Sequence, residues 1–157
     1  MDERDALILD VLRKNCKLST YKIARLTGLP PTTVYNRIKK LEEEGVIRGY
    51  AAVLNEEKMG KTLSAHVFIK INAKEIRAQN ISLDKLLLQL YSLSGVQQMD
   101  YITGRYDVVL DVAVRDMKEL NELLVDNLKN MAGVESTETM LSLKRIRNAE
   151  ELTSSSN

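Results

Sequence analysis

The sequence predicts an α+β chain whose first third is helical and whose remainder alternates strands with helices. Between Leu18 and Gly49, apolar residues recur every three to four positions on either side of a Gly-Leu-Pro-Pro turn at residues 28–31. This is the pattern of two short helices joined by a tight turn. From Leu63 onward, runs with a period of two alternate with runs of helical period, which indicates a sheet packed against helices.

The helices of the first third have recognisable ends. A first helix is predicted over Asp2–Lys14, with an apolar face of Ile8, Leu9 and Leu12. Ser19 is a typical N-cap for the second helix, and Gly28 ends it because glycine adopts the left-handed conformation at little cost. Pro31 begins a third helix, since proline at the first helical position loses no hydrogen bond.

The third helix, from Pro31 to about Glu44, has two faces, and Val34, Ile38 and Leu41 form its apolar stripe. Two helices in this arrangement make a helix-turn-helix, and a helix rich in hydroxyl, amide and cationic groups suits the major groove of DNA. A solvated surface helix has a similar composition, but the turn, the stripe and the basic face together favour double-stranded DNA as the partner. The candidate DNA-binding residues are Thr32, Asn36, Lys39 and Lys40 on the outward face, with Thr33, Tyr35 and Arg37 on its flanks.

The charge distribution agrees mildly with that prediction. The 157-residue chain has a net charge of only +1. Residues 1–50 contain ten basic and seven acidic side chains, a net of +3, whereas residues 51–157 have a net of −2. A local basic patch matters more for DNA binding than the total charge does.

Catalytic, metal-binding and membrane classes have little support in the sequence. His66 is the single histidine and Cys16 the single cysteine, so one chain holds neither a histidine-based triad nor an intrachain disulfide. We find no metal-ligand spacing and no glycine-rich phosphate loop, and we expect no catalytic residues, no metal site and no cofactor. No run approaches the roughly 20 apolar residues of a membrane span. The acidic N-terminus does not resemble a signal peptide, so a cytoplasmic protein without a membrane partner is expected.

The second half predicts four strands and two helices. Val46–Leu54 looks extended, as a short strand or wing, and the polar stretch 55–62 marks a boundary. The predicted strands are Ala65–Ile71, Val96–Thr103, Asp107–Val114 and Val134–Leu143, with a loop over Ala73–Ile81 and helices that begin at Ser82 and at the Asp116/Glu119 capping box.

This βαββαβ order is the ferredoxin-like arrangement, with both helices on one face of the sheet. Candidates for the other face include Phe68, Val109, Ala113 and Met140, and an exposed apolar face usually has a partner. A second copy is the simplest partner, because a two-fold dimer presents two recognition helices to a symmetric DNA site. We divide the chain into residues 1–50 for DNA binding, 51–62 as strand or linker, 63–147 for regulation and dimerisation, and 148–157 as a flexible tail.

The order of motifs resembles the Lrp/AsnC (leucine-responsive, feast/famine) family of transcription regulators from residue 2 to residue 147. The residues that carry the resemblance begin with Asp5, Ile8-Leu9 and Leu12 and continue through Ile23-Ala24, Gly28-Leu29, the Val34–Leu41 helix with Glu42, Gly45-Val46-Ile47 and Thr103-Gly104-Arg105-Tyr106-Asp107. The last of these resembles the family's Thr-Gly-x-Tyr-Asp turn. The order of these motifs is more specific than any one of them.

The resemblance implies a sequence-specific regulator that forms homodimers, often assembled into tetramers or octamers, with an amino-acid effector held between dimers. The implied effector-binding residues are Thr103, Gly104, Arg105, Tyr106 and Asp107 in the turn, with hydroxyl contacts from Thr137 and Thr139. From the residues alone, the favoured interpretation is a tight strand turn in which Asp107 accepts backbone hydrogen bonds, and the effector site depends on the resemblance. Two other functions stay open: an effector-independent architectural DNA binder, and a small-molecule sensor whose N-terminal domain docks a protein.

Overall fold

The computed structural model of the protein describes residues 1–144 and divides the chain into two compact units, Met1–Leu54 and the part from Asn55 onward. The predicted tail 148–157, and residues 145–147 before it, lie outside the described residues. Each unit has its own apolar core.

Three helices make up the first unit: α1 (Glu3–Lys14), α2 (Thr20–Thr27) and α3 (Pro31–Glu43). The predicted ends are confirmed, because the Ser19 hydroxyl accepts a hydrogen bond from the Lys22 N–H at 3.4 Å and Gly28 has a φ of 70°. The side chains that pack between the helices are spaced at helical intervals, and the buried ones are Ile8, Leu12, Ile23, Ala24 and Val34. The α3 stripe is also confirmed, since Leu41 is buried and Ile38 packs against this core.

In the described part of the chain, residues 46–54 form no strand, so the predicted extended strand is wrong for this segment. A strand needs a neighbouring strand to satisfy its backbone groups, and these residues return to the helices instead. The Ile47 N–H donates to the Leu41 carbonyl at 3.0 Å, and the Tyr50 hydroxyl donates to the Glu42 carboxylate at 2.7 Å. Burial, together with Glu42, raises the pKa of Tyr50 to about 12.

The second unit is a four-stranded antiparallel sheet in the order β2-β3-β1-β4. Its strands are β1 (Leu63–Ile71), β2 (Val96–Tyr101), β3 (Val108–Val114) and β4 (Val134–Leu141), and its main helices are α5 (Leu83–Tyr91) and α6 (Met117–Asn121). Leucines of these helices and of the segment after α6 cover one face of the sheet, which we call the inner face. The ferredoxin-like prediction is confirmed.

Two details differ from the sequence prediction. The predicted loop Ala73–Ile81 contains a short helix, α4 (Ala73–Ala78), because the Asn72 side chain caps it by accepting the Glu75 N–H at 3.1 Å. The helix after Asp116 changes to a π-helix over Glu122–Leu128. This places Leu123 and Leu128, five residues apart, together in the core.

Candidate functional sites

The outward face of α3 is the first candidate site. Thr32, Asn36, Lys39 and Lys40 are all exposed, and the Tyr35 side chain is 59% exposed, whereas Thr33 is half-buried. Because Val34 and Leu41 hold the opposite face in the core, the helix presents hydroxyl, amide and ammonium groups along one side. These groups hydrogen-bond to base edges and phosphates.

The two lysines of this face have weak partners. Lys39 and Lys40 lie 3.7 Å from the carboxylates of Glu43 and Glu44, one helical turn further on. All four side chains are at least half exposed, and exposed pairs of this kind contribute little to stability. Both ammonium groups can therefore exchange their carboxylate for a phosphate.

Arg37 occupies a different environment from the lysines. Its Nη1 donates to both carboxylate oxygens of Asp2 at 2.8 Å and to Asp5 Oδ1 at 2.6 Å, and its side chain is only 24% exposed. Arg37 is therefore held by two carboxylates, unlike Lys39 and Lys40, although the sequence predicted a DNA-binding role for all three. Its partner residues are more than 30 positions away in the chain.

A polar face on α2, which was not predicted from the sequence, adjoins the helix-turn-helix turn in the chain. Tyr21, Lys22 and Arg25 are exposed, whereas Ile23 and Ala24 between them are buried. The first helix of a helix-turn-helix commonly crosses the DNA backbone, so these side chains belong to the candidate surface. The spacing of Tyr21 and Arg25, one turn apart on a strongly amphipathic helix, is the signal that identifies them.

The hairpin turn between β2 and β3 is the second candidate site. Thr103, Gly104 and Arg105 are exposed, and Gly104 has a φ of 140°. The Ile102 N–H donates to the Asp107 carbonyl at 2.8 Å and closes the turn. Nothing lies within 4 Å of where a Gly104 Cβ would be, so the turn backbone is accessible to a ligand.

Asp107 has internal partners at the base of this turn. Its carboxylate accepts the Ile71 N–H at 2.8 Å and the Lys70 ammonium at 3.1 Å. The backbone hydrogen bond, followed by Lys70, lowers the pKa of Asp107. The carboxylate thus ties the turn to the end of β1.

This arrangement predicts a pH dependence of stability. A carboxylate whose pKa is lower in the folded chain stabilises the fold above its unfolded pKa of about 4, and that contribution is lost as the pH falls through the folded value. We expect wild type to exceed Asp107→Asn in unfolding free energy at about pH 6, and the difference to shrink below about pH 4. Urea unfolding across this range measures it, and a difference that stays constant down to about pH 3 would contradict the assignment.

Tyr106 joins the turn to the face of the sheet that the helices leave uncovered, which we call the outer face. Its ring centre lies 5.4 Å from that of Phe68, and its hydroxyl donates to the Glu138 carboxylate. The Arg105 guanidinium lies over the Tyr106 ring, 5.3 Å from its centre. The exposed Arg105 therefore places a cation beside the turn.

Thr137 and Thr139 do not share a face with Asp107. They pair with Ile69 and Val67, whose side chains are buried in the core on the inner face. Cross-strand partners point to the same side of a sheet, so both threonines face inward at the edge strand β4. Lys70, the ion-pair partner of Asp107, alternates onto the outer face with Phe68. Within one chain the structure brings the turn residues together but separates them from the two threonines.

The outer face combines apolar and acidic groups. Val109 is half-buried beside Phe68, and Met140 is 50% exposed. Ala113 lies on the outer face, as predicted, because it pairs with Ser64 on the same side of the sheet as Phe68, but it is fully buried and adds no exposed apolar surface. His66 Nδ1 lies 2.5 Å from Asp111 Oδ1 on this face. The carboxylates on this face include Asp100, Asp107, Asp111 and Glu138.

Residues 1–144 contain no group of three or more His, Cys, Asp or Glu side chains that could hold a metal ion. In the same residues, no helix has the length and hydropathy to cross a membrane.

Comparison with known families gives matches to both units. The family model of the Lrp/AsnC ligand binding domain matches residues 66–152, and that of a winged helix-turn-helix DNA-binding domain matches residues 1–48. The HTH-type transcriptional regulator FL11 of Pyrococcus abyssi is 34% identical over 154 residues, which span 97% of this chain and 95% of the relative.

Solved structures show the same fold. The transcriptional regulator NMB0573 of Neisseria meningitidis, in complex with L-Met, has a TM-score of 0.83 and 26% identity, and the match spans 94% of this chain and 93% of that one. AsnC of E. coli has a TM-score of 0.77 at 24% identity, over 96% and 98% of the two chains, and that likeness concerns the fold alone.

Proposed function

The chain belongs to the Lrp/AsnC family of transcription regulators, and on that premise we propose that it reads a specific DNA sequence with α3 and responds to a free amino acid. Residues 1–50 bind DNA, 51–62 link, and 63–147 dimerise and bind the effector, with 148–157 as a tail. A regulator of this kind acts where the DNA is, in the cytoplasm. Membership of a family of regulators leaves no enzymatic role to propose.

The exposed face of α3 is the observation that carries the DNA proposal. Asn36 and Thr32 read base edges, since a carboxamide and a hydroxyl pair with bases in the major groove. Lys39 and Lys40 bind phosphates, and Lys22 and Arg25 add phosphate contacts from α2. Thr33 and Tyr35 flank the base-reading residues.

Selection from a random library of DNA duplexes tests this proposal. Wild type is expected to enrich one sequence and to bind it with an affinity that falls steeply with salt, by about 0.9 in log–log slope per neutralised phosphate. A flat salt dependence with no enriched sequence would favour the alternative in which the N-terminal unit docks a protein.

We place the effector at the turn 103–107. The relative that was solved with L-Met shares the fold over most of both chains, and the exposed backbone of Gly104 and the cation of Arg105 suit a ligand carboxylate. Asp107 holds the turn in place. Thr137 and Thr139 lie on the opposite face of the sheet, so within one chain they are separated from the turn and would join this site only from another copy. We propose, from the family resemblance, a site between dimers in an assembly of four or eight chains.

A thermal stability screen of the common amino acids tests the effector proposal. A ligand that binds the folded chain raises its unfolding temperature by mass action. We expect at least one amino acid at about 10 mM to stabilise wild type, and Arg105→Ala to reduce that effect, with Lys85→Ala on exposed α5 as the control. If no amino acid stabilises wild type, the architectural alternative is favoured.

A further inference from the structure

The contacts of Arg37 distinguish it from every other basic residue of α3. Its Nη1 donates to both oxygens of Asp2 and to Asp5 Oδ1 at 2.6–2.8 Å, and the two aspartate side chains are 54% and 13% exposed. Lys39 and Lys40 are 61% and 70% exposed and lie 3.7 Å from their carboxylates. Short bonds from one donor to two carboxylates fix a side chain far more firmly than a single long pair does.

The two aspartates are themselves held in place at the start of α1. Each accepts the backbone N–H of the other, at 2.8 Å and 3.0 Å, in a reciprocal capping arrangement. These backbone bonds come first among the causes that lower the pKa of both carboxylates, and Arg37 adds to them. The ionised form of both carboxylates is therefore favoured, and the Arg37 cation from α3 is held at the reciprocally capped first turn of α1.

The charge of this cluster argues against a phosphate contact. Arg37, Asp2 and Asp5 carry one positive and two negative charges, so the cluster as a whole repels a phosphate. To reach DNA, Arg37 would have to break its short hydrogen bonds to both aspartates and leave two carboxylates close together. Lys39 and Lys40 can bind phosphate without such a cost.

We propose that Arg37 is a positioning residue, which through Asp2 and Asp5 fixes α3 against the N-terminal turn of α1 and so sets the orientation in which Asn36 and Thr32 meet the bases. This inference rests on the proposed DNA-binding function. It assigns the first turn of α1 an indirect part in DNA reading, through the position of α3.

The test is Asp5→Asn, for which a purely Coulombic effect and a positioning role predict opposite changes in DNA affinity. Asp5→Asn removes a negative charge near DNA, so a purely Coulombic effect would tighten binding to any duplex. If Asp5 positions α3 through Arg37, the same substitution weakens the selected duplex by about fivefold and leaves a scrambled duplex of equal composition nearly unchanged. Asp10→Asn, on the exposed side of the same helix, is the charge-matched control.

Arg37→Gln completes the experiment. We expect it to weaken the selected duplex by about the same factor as Asp5→Asn, to leave the salt slope unchanged, and to add little in the double variant. Circular dichroism verifies folding, and Asp2→Asn is the gentler substitute if Arg37→Gln unfolds. A salt slope lower by about 0.9 in Arg37→Gln, together with tighter binding by Asp5→Asn, would overturn the proposal. Failure of wild type to select any duplex would instead refute the proposed sequence-specific DNA-binding function.

Discussion

Asn36→Ala is expected to weaken binding to the selected DNA sequence by about 1–3 kcal/mol, which is the usual contribution of a good bidentate contact to a base. Asn36 is exposed in the middle of the outward face of α3, where truncation leaves the core intact. Titration of wild type and variant against the selected duplex and a scrambled duplex measures the loss. The loss should appear for the selected sequence only, because a base contact carries sequence information and a phosphate contact does not.

Lys40→Ala is the matched comparison on the same helix. It should weaken both duplexes alike and lower the salt slope by about 0.9, since it removes one phosphate contact. Equal losses of Asn36→Ala on both duplexes would show that Asn36 binds the backbone. No loss on either duplex would remove it from the interface.

Val109→Asp is expected to convert the full-length protein from dimers to monomers, with a dimer dissociation constant raised by roughly a hundredfold, or about 3 kcal/mol. Val109 lies beside Phe68 on the outer face, which we propose as the contact between two copies. The substitution replaces apolar surface with a charge next to carboxylates already present there, such as Asp100 and Asp111. Because the outer face is not the core of one copy, the monomer should stay folded.

Sedimentation over a range of concentrations measures the change. Gln89→Asp, on an exposed position of α5, adds the same charge away from the sheet and should leave the dimer intact. A Val109→Asp protein that sediments like wild type would place the dimer contact elsewhere. The same result would show that the apolar side chains of the outer face are not what holds two copies together.

Local signals in the sequence predicted most of the fold. N-caps such as Ser19, the glycine after α2 and the alternation in β1 each depend on neighbours within a few residues, so they are readable without a structure. The same kind of signal was present at Asn72 and Glu75, which fit a cap and its third helical residue, and it would have identified α4. Because α4 has only six residues, the sequence of this segment resembles a loop.

Other features depend on residues far apart in the chain. Arg37 looks like its neighbour Lys39 in sequence, and only the packing of α1 on α3 brings Asp2 and Asp5 to it. Thr137 and Asp107 lie on opposite faces because of the register between β4 and β1. The alternation of polar and apolar residues within one strand does not predict that register. The π-helix places Leu123 and Leu128 on one face, whereas an α-helical period would not align residues five apart.

The acidic outer face has a consequence for how ionic strength acts on the protein. In the proposed dimer a two-fold axis would bring two outer faces together. Asp100, Asp111 and Glu138 of both copies would then share one interface, where burial of Phe68, Val109 and Met140 would have to outweigh their repulsion. Dissolved ions screen the repulsion over a Debye length of about 8 Å at physiological strength. Rising ionic strength would therefore favour the proposed pairing of the chains and weaken the proposed binding to DNA, so that it would shift the two equilibria in opposite directions.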